Sequence, residues 1–437
     1  DQKNFGKSDW NPLSFLIRPG MKVVIKPNFV LSKHSEGKNV YSIITHPSLI
    51  RAIVDYAWIA LKGKGEIIIA DSPQYNCNFA ELIATTKLDE VCNFYNSQPG
   101  LHVQLINLQS YWSKGRHFPS QIIKLPGDPK GIMTVNLGKK SHLYTCPNPE
   151  KFYGAVYHRQ ETIEHHLKSR QEYELSKTIM EADVVISVPK LKVHKKVGVT
   201  LNIKGLVGIC TNKNYIVHYR LGLPSEGGDQ YPGGVLNSKE LKIIKFERWM
   251  YDHFLAKRMR WAEYIHRFIY GFLYLKIVKN FDLEVPDKKR LLDAGNWYGN
   301  DSAWRMAVDL AKIIYFFDKK GKIHKQKQRR LFSVIDGIVG GENNGPLVPN
   351  PKLSGILMAG ENFWATDIVA TRLMGFDWRK IKMFSILNDI SYNFEFRKPK
   401  NIKVISNVRK FEKCLFDKTS RFLSFKPHPG WKGHIEI

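Results

Sequence analysis

The chain has 437 residues, 43% hydrophobic and 12% aromatic, enough to bury a sizeable core and too apolar for a disordered chain. Its 67 lysines and arginines face 40 carboxylates, a formal charge of +27, which points to an anionic partner: nucleic acid, an anionic lipid surface, or a phosphorylated or acidic substrate. Five scattered cysteines (Cys77, Cys92, Cys146, Cys210, Cys414) include no C-x-x-C pair, which argues against an iron–sulfur cluster or a zinc ribbon and suits a reducing compartment.

MKVVIK (21–26) is a short apolar run ending at Pro27-Asn28, and HPSLIRAIVDYAWIALKG (46–63) spaces Leu49, Ile50, Ile53, Ala57 and Leu61 as one helical face. EIIIA (66–70) reads as a strand closing on Asp71-Ser72-Pro73, followed by a helix over 79–95 and a strand at LHVQLIN (101–107). Strands alternating with helices predict an α/β fold, a mostly parallel, Rossmann-like sheet flanked by helices, with ligands at the carboxyl ends of the strands. Lys26 and Asn28, Asp71 and Ser72, and Lys190 then share one edge. Residues 108–180 are less regular, with one strand at IMTVNL (132–137), and VVISV (184–188) resumes the sheet. The last third returns to strands at LFSVIDG (331–337) and GILMAG (355–360), with a helix over 364–375. The expected organisation is an α/β part over 1–240, an inserted aromatic and basic helix over 241–285, and a C-terminal α/β part over 286–437 completing the same sheet or a second one.

The stretch after VVISV, PKLKVHKKVGVTLNIKGLVG, holds five lysines and a histidine with no acid. Lys190, Lys192 and Lys204 read as a cradle for phosphate or carboxylate, with Thr200 and Asn202 adding neutral hydrogen bonds. Gly198, Gly205 and Gly208 would let backbone approach a ligand. Lys195 and Lys196 read as a solvated loop. Four lysines within four positions of His194 would hold its ring neutral, which suits a ligand or a base.

Acids are scarce, so those at strand ends draw interest. Asp71, Asp336, Glu342 and Asn344 offer the oxygen donors that a divalent cation such as Mg, Mn, Fe or Zn would take, with Gly337, Gly340 and Gly341 among them. Asp367 reads as a charge near a helix N-terminus. His218 and Arg220 alternate as on a strand. Arg220 offers a guanidinium fork for an anion, and SEGGD (225–229) is a loop positioned to close over it. Arg305 stands four residues after Asp301, an ordinary helical ion pair.

Over 248–279, Met250, Phe254, Trp261, Ile265, Phe268, Phe272 and Leu275 form one helical stripe interrupted by Lys257 and Arg258, a pattern shared by core helices and by helices that lie in a membrane interface. The opening DQKNFGKSDWNPLSFLIRPG lacks the apolar core of a signal peptide, and no run reaches the ~18 apolar residues of a membrane span. The expected location is cytoplasmic, with peripheral contact at the inner membrane face through 248–279 as an option.

Taken together, VVIKPN, DSP, VPKLKVHKKVGVTLNIKGLVG, NKNYIVHYRLGLPSEGGDQY, GNWYGNDSAWRMAVDL, DGIVGGENNGPL and GENFWATDIVATRLMG resemble the domain of unknown function 362 family. The resemblance implies an α/β fold and little chemistry. Many relatives carry a ferredoxin-like cysteine cluster, which this chain lacks, so no iron–sulfur cofactor is expected. Relatives also often accompany genes for surface polysaccharides, which would suit an anionic, phosphorylated or lipid-linked substrate. From the residues, the expected function is an enzyme: Lys26, Asn28, Lys190, Lys192, Asn202, Lys204 and Arg220 hold the anion, a carboxylate-held metal assists, and His194 or His218 moves a proton. Nucleic-acid binding without catalysis is the rival reading, although no RNP, helix-turn-helix or zinc signature occurs. A membrane-peripheral scaffold is the third.

Overall fold

The computed structural model describes residues 5–8, 10–113, 122–155, 159–250, 287–388 and 401–437. Its centre is one eight-stranded sheet. The strands are β1 (Lys22–Pro27), β2 (Glu66–Asp71), β3 (Val103–Asn107), β4 (Val184–Val188), β5 (Lys190–His194), β6 (Gly198–Val199), β7 (Arg330–Glu342) and β8 (Asn350–Gly360). β1 lies between β2 and β4, β3 flanks β2, and β7 runs beside β4, all parallel. β5 continues along the same β7 after Pro189, Lys190 facing Asp336, while β8 closes the far edge of β7 antiparallel. The final third therefore completes the same sheet rather than a second one.

Strands buried on both faces must be apolar at every position, and KVVIKP, EIIIAD and VVISV nearly are. Alternate side chains enter two different cores. Val23, Ile25, Ile67, Ile69, Val184 and Ile186 pack on one face with Ile50, Ile53 and Ala57 of helix α1 (Pro47–Leu61). Val24, Ile68, Ala70 and Val185 pack on the other with helices α2 (Leu201–Gly205), α3 (Ala303–Phe316) and α4 (Phe363–Leu373). Helices on both faces of a mostly parallel sheet are the expected α/β architecture.

Local differences from the expectation have local causes. The helix over 79–95 is two, Phe79–Thr86 and Leu88–Asn96, divided at Lys87, whose φ is +57°. Ile132–Asn136 pairs with Glu172–Ser176 in a separate two-stranded sheet. The segment after β4 is a strand, β5, where a basic loop was expected. The helix expected over 241–285 begins at Ser238 and is described to Met250; the rest of the 248–279 stripe lies outside the described residues. Among the described residues no helix is long and apolar enough to cross a membrane.

Candidate functional site

A strand that alternates its side chains separates KLKVH into two sets. Leu191 and Val193 enter the core. Lys190, Lys192 and His194 occupy the other face, and all three are buried. Lys190 Nζ meets Asp336 Oδ2 at 2.7 Å, a pair with both side chains 0% exposed. The next two positions along the same face, Lys192 and His194, line a cavity of about 710 Å³.

The cavity lies where β1 and β2 end: Asn28, Asp71 and Ser72 line it beside Thr200, Lys204, Lys213, His218 and Asn344. This is the carboxyl edge at which parallel sheets bind ligands. Seven lysines and arginines line it against three carboxylates, Glu36, Asp71 and Asp293. All three carboxylates are already committed, Glu36 to Lys38 at 2.6 Å. Asp71 accepts from Lys26 Nζ at 2.9 Å and from Phe29 N–H at 2.7 Å, and Asp293 pairs with Arg248 at 2.8 Å. The stacked rings of Tyr153 and Tyr219, 4.9 Å apart, form another wall, with Arg248 and Lys196 against them.

The buried lysines of this cavity differ in what their ammonium groups do. Lys213 donates to three carbonyls, Ser72, Val207 and Cys210, at 2.8–2.9 Å, and so is a structural pin. Lys192 donates to the Ile43 carbonyl at 2.6 Å. Lys196 donates to the Ala294 carbonyl and to Asn296 Oδ1. Lys204, on α2 and 5% exposed, has no hydrogen-bond or ion-pair partner among the described residues. Burial, reinforced by the Lys213 charge, pushes its amine down to about 7.

The aim of Lys204 is set by α2. Asp367, from α4, accepts the N–H groups of Asn202 and Ile203 and the Asn202 side-chain amide, at 2.7–3.0 Å. Thus Asp367 caps the start of α2, not of its own helix, and burial raises its carboxyl to about 7. Leu201, at the first turn, takes φ +48°, an uncommon conformation for a branched side chain held by its surroundings.

Two histidines complete the chemistry. Burial, then the Lys204 charge, holds both His194 and His218 well below the usual imidazole range. His194 Nδ1 accepts the Lys196 N–H at 3.0 Å, which places the proton of the neutral ring on Nε2 and makes it a donor. His218 has no hydrogen bond to its ring among the described residues, leaving a neutral imidazole available as an acceptor. The amide oxygens of Asn28 and Asn344 and the Ser72 hydroxyl are buried at the cavity wall without a partner among the described residues.

The model of the family described as domain of unknown function (DUF362) matches residues 23–117 and 140–372, most of the chain. The chain belongs to the DUF362 family. No curated protein and no solved structure matches it. The DUF362 match includes β1, β2, β4, β5 and α2, hence the lysines and histidines at the strand ends, but not His428, which also lines the cavity. His428 comes from the C-terminal segment, which reaches back to the same edge: Trp431 Nε1 donates to the Lys195 carbonyl at 2.7 Å.

Of the residues singled out from sequence, the DUF362 fold brings Asn28, Asp71, Lys192, His194, Lys204, His218 and Asn344 to the cavity. Lys26 stands behind it, holding Asp71. Lys190 and Asp336 form the buried pair, Asn202 bonds Ser333, Thr366 and Asp367, and none of the three lines the cavity. Arg220 is not an anion clamp. It donates to the Pro147 carbonyl, its N–H bonds Asp229 Oδ1, and its guanidinium lies 3.6 Å from Asp229. Asp229 in turn accepts from Asp301 N–H and Ser302 Oγ, so the SEGGD segment is pinned and does not line the cavity. Arg305 and Asp301 make the helical pair at 2.9 Å.

The metal set does not assemble. Asp71 is held by Lys26. Asp336 accepts from Lys190, from His46 N–H and from Ile338 N–H, and Glu342 accepts from Lys426 N–H at 2.9 Å with Lys352 at 3.3 Å. Among the described residues no group of three or more His, Cys, Asp and Glu converges on a cation position.

Lys195 and Lys196 are cavity residues rather than a solvated loop, Lys196 buried and Lys195 half-buried. Gly208 is small for a reason other than a ligand: a Cβ there would fall on the Asp71 carboxylate and within 2.7 Å of Lys26 Nζ. Sequence reasoning missed Lys213, Tyr153, Arg248, Asp293 and His428. Lys213 alone carried a signal, as a lysine inside the NKNYIVHY motif with no nearby acid to pair with.

Proposed function

We propose that this DUF362 protein is an enzyme whose cavity takes a small anionic substrate, phosphorylated or carboxylated, and moves a proton on it. The observation that carries this reading is Lys204: a buried ammonium without a partner, facing a cavity in which cations outnumber carboxylates. An unpaired buried charge is unfavourable unless something neutralises it, and a bound anion does so directly. Lys204 would hold the anionic group, with Lys192 and Lys195 adding field. The amides of Asn28 and Asn344 and the Ser72 hydroxyl suit hydroxyl or carbonyl groups on the same molecule. His218 acts as the base and the Nε2–H of His194 as the donor.

The rival nucleic-acid reading receives less support. Lys192, Lys196, Lys204 and Lys213 are each at most 9% exposed, out of reach of a duplex backbone. A backbone-binding surface needs exposed cations.

Thermal melting with paired ligands tests the proposal. Glucose 1-phosphate, glycerol phosphate and succinate should raise the melting temperature in a concentration-dependent way, because a ligand that binds only the folded state stabilises it by mass action. Glucose and glycerol at the same concentrations should not. Equal shifts with the neutral compounds, or none with a broad panel of phosphate and carboxylate anions, would sink it.

A further inference from the structure

The cavity holds a primary amine of an uncommon kind. Lys204 Nζ has no hydrogen-bond partner among the described residues, yet it faces open space at the wall of a 710 Å³ cavity. The three other buried lysines there are committed to carbonyl or amide oxygens. Of the four, Lys204 keeps its nitrogen clear of protein acceptors among the described residues, so its lone pair can meet the carbonyl carbon of a bound substrate. The carboxylate closest in role, Asp71, is occupied by Lys26 and Phe29.

We propose that Lys204 is the nucleophile of this site and forms an imine with an anionic substrate that carries an aldehyde or ketone. This rests on the reading of the cavity as an anion site, and it narrows the substrate to a carbonyl compound bearing phosphate or carboxylate. Burial and the neighbouring Lys213 charge bring the amine to about 7, so a large share of it is unprotonated, and hence nucleophilic, near neutral pH. Lys204 draws the anionic substrate in as the ammonium, and once it has lost its proton and attacks, the charges of Lys192, Lys195 and Lys196 at the same wall keep the anionic group in place.

The step balances without an oxidant or reductant. The Nζ lone pair attacks the carbonyl carbon, a C–N bond forms, and the carbonyl π pair moves to oxygen, where the Nε2–H of His194 donates a hydrogen bond to it. His218 takes one proton from the nitrogen and hands it to that oxygen, giving the carbinolamine. The second nitrogen proton passes through His218 to the hydroxyl, the nitrogen lone pair forms the C=N bond, and the C–O bond breaks to release water, leaving both histidines as they began. The products are imine and water, and the imine carbon is primed for proton loss or bond cleavage at the adjacent carbon.

Pyridoxal 5′-phosphate serves as a probe, since it joins an aldehyde to a phosphate. The full chain is incubated with it, reduced with borohydride, digested and mapped by mass spectrometry. Pyridoxal without the phosphate is run beside it, and inorganic phosphate is added as a competitor. The expected result is an adduct on Lys204, at least about tenfold weaker with pyridoxal, the worth of one charge-assisted contact. Phosphate should suppress it, and it should be missing in Lys204→Arg, which keeps the charge and whose fold is checked by its melting curve. If phosphate or the probe stabilises the protein but no adduct forms on Lys204, the imine is wrong and the anion site stands. Labelling spread over surface lysines without regard to the phosphate also overturns the imine. If no anion stabilises the protein, both readings fall together.

Discussion

Lys204→Met is expected to raise the melting temperature of the ligand-free protein at pH 7 by about 5 °C while removing its response to anions. The lysine is buried and lacks a partner, so the folded state bears a penalty that methionine, of similar length and without charge, does not. Its amine is lowered from 10.5 to about 7 by burial, which corresponds to roughly 4 kcal/mol against folding. The sign follows from proton counts. Between pH 7 and 10.5 the unfolded chain keeps a proton on this lysine that the folded chain has lost, so the wild type gains stability as pH rises through that window. The gap between variant and wild type should be full at pH 7 and below, and close toward pH 10. Melting curves of both proteins across that range measure it. A variant less stable than the wild type at pH 7 would show that Lys204 is a structural residue with a partner.

The second large effect falls on the Lys190–Asp336 pair. Asp336→Ala leaves a lysine at 0% exposure without its carboxylate and also deprives the N–H groups of His46 and Ile338 of their acceptor. Breaking a buried pair on one side destabilises by about 3–5 kcal/mol. The double replacement Lys190→Met with Asp336→Leu removes both charges at once and should recover most of that loss, because a buried pair exchanged for apolar groups of similar size is close to neutral. Chemical denaturation of the two variants decides. If Asp336→Ala melts like the wild type yet no longer responds to anions, Asp336 belongs to the site and not to its foundation.

Much of the fold was legible because buried parallel strands write themselves as apolar runs: KVVIKP, EIIIAD and VVISV needed no tertiary information. The carboxyl-edge rule put Lys26, Asn28, Asp71, Ser72 and Lys190 at one edge; Asn28, Asp71 and Ser72 line the cavity there, while Lys26 and Lys190 stand behind it in buried ion pairs. β5 escaped, because KLKVH reads as a loop unless one knows that its lysines have partners on β7 and beyond. Lys190 and Lys192 share one face of β5, so position along the strand, and not alternation, puts Lys190 in the foundation and Lys192 in the cavity, although both are equally buried.

The acids misled for the complementary reason. Asp336 and Glu342 sit among glycines, which suggested a ligand loop, but β7 is one continuous strand of 13 residues and its acids answer to lysines and backbone N–H groups. Arg220 and Asp229 find each other across a turn, a contact that spacing does not announce. His428 reaches the cavity from more than 200 residues beyond the basic motif, and only the folded chain shows it.

The most direct test of the central claim is calorimetric titration of sulfate into the ligand-free protein, at pH 6.0 and pH 8.5, beside Lys204→Met. Sulfate keeps its charge over this range, so any change belongs to the protein. The anion-site account predicts one saturable site whose affinity falls as pH rises through about 7, where Lys204 loses its proton, and its disappearance in the variant. Equal binding by wild type and Lys204→Met, or no saturable binding at either pH, would contradict it.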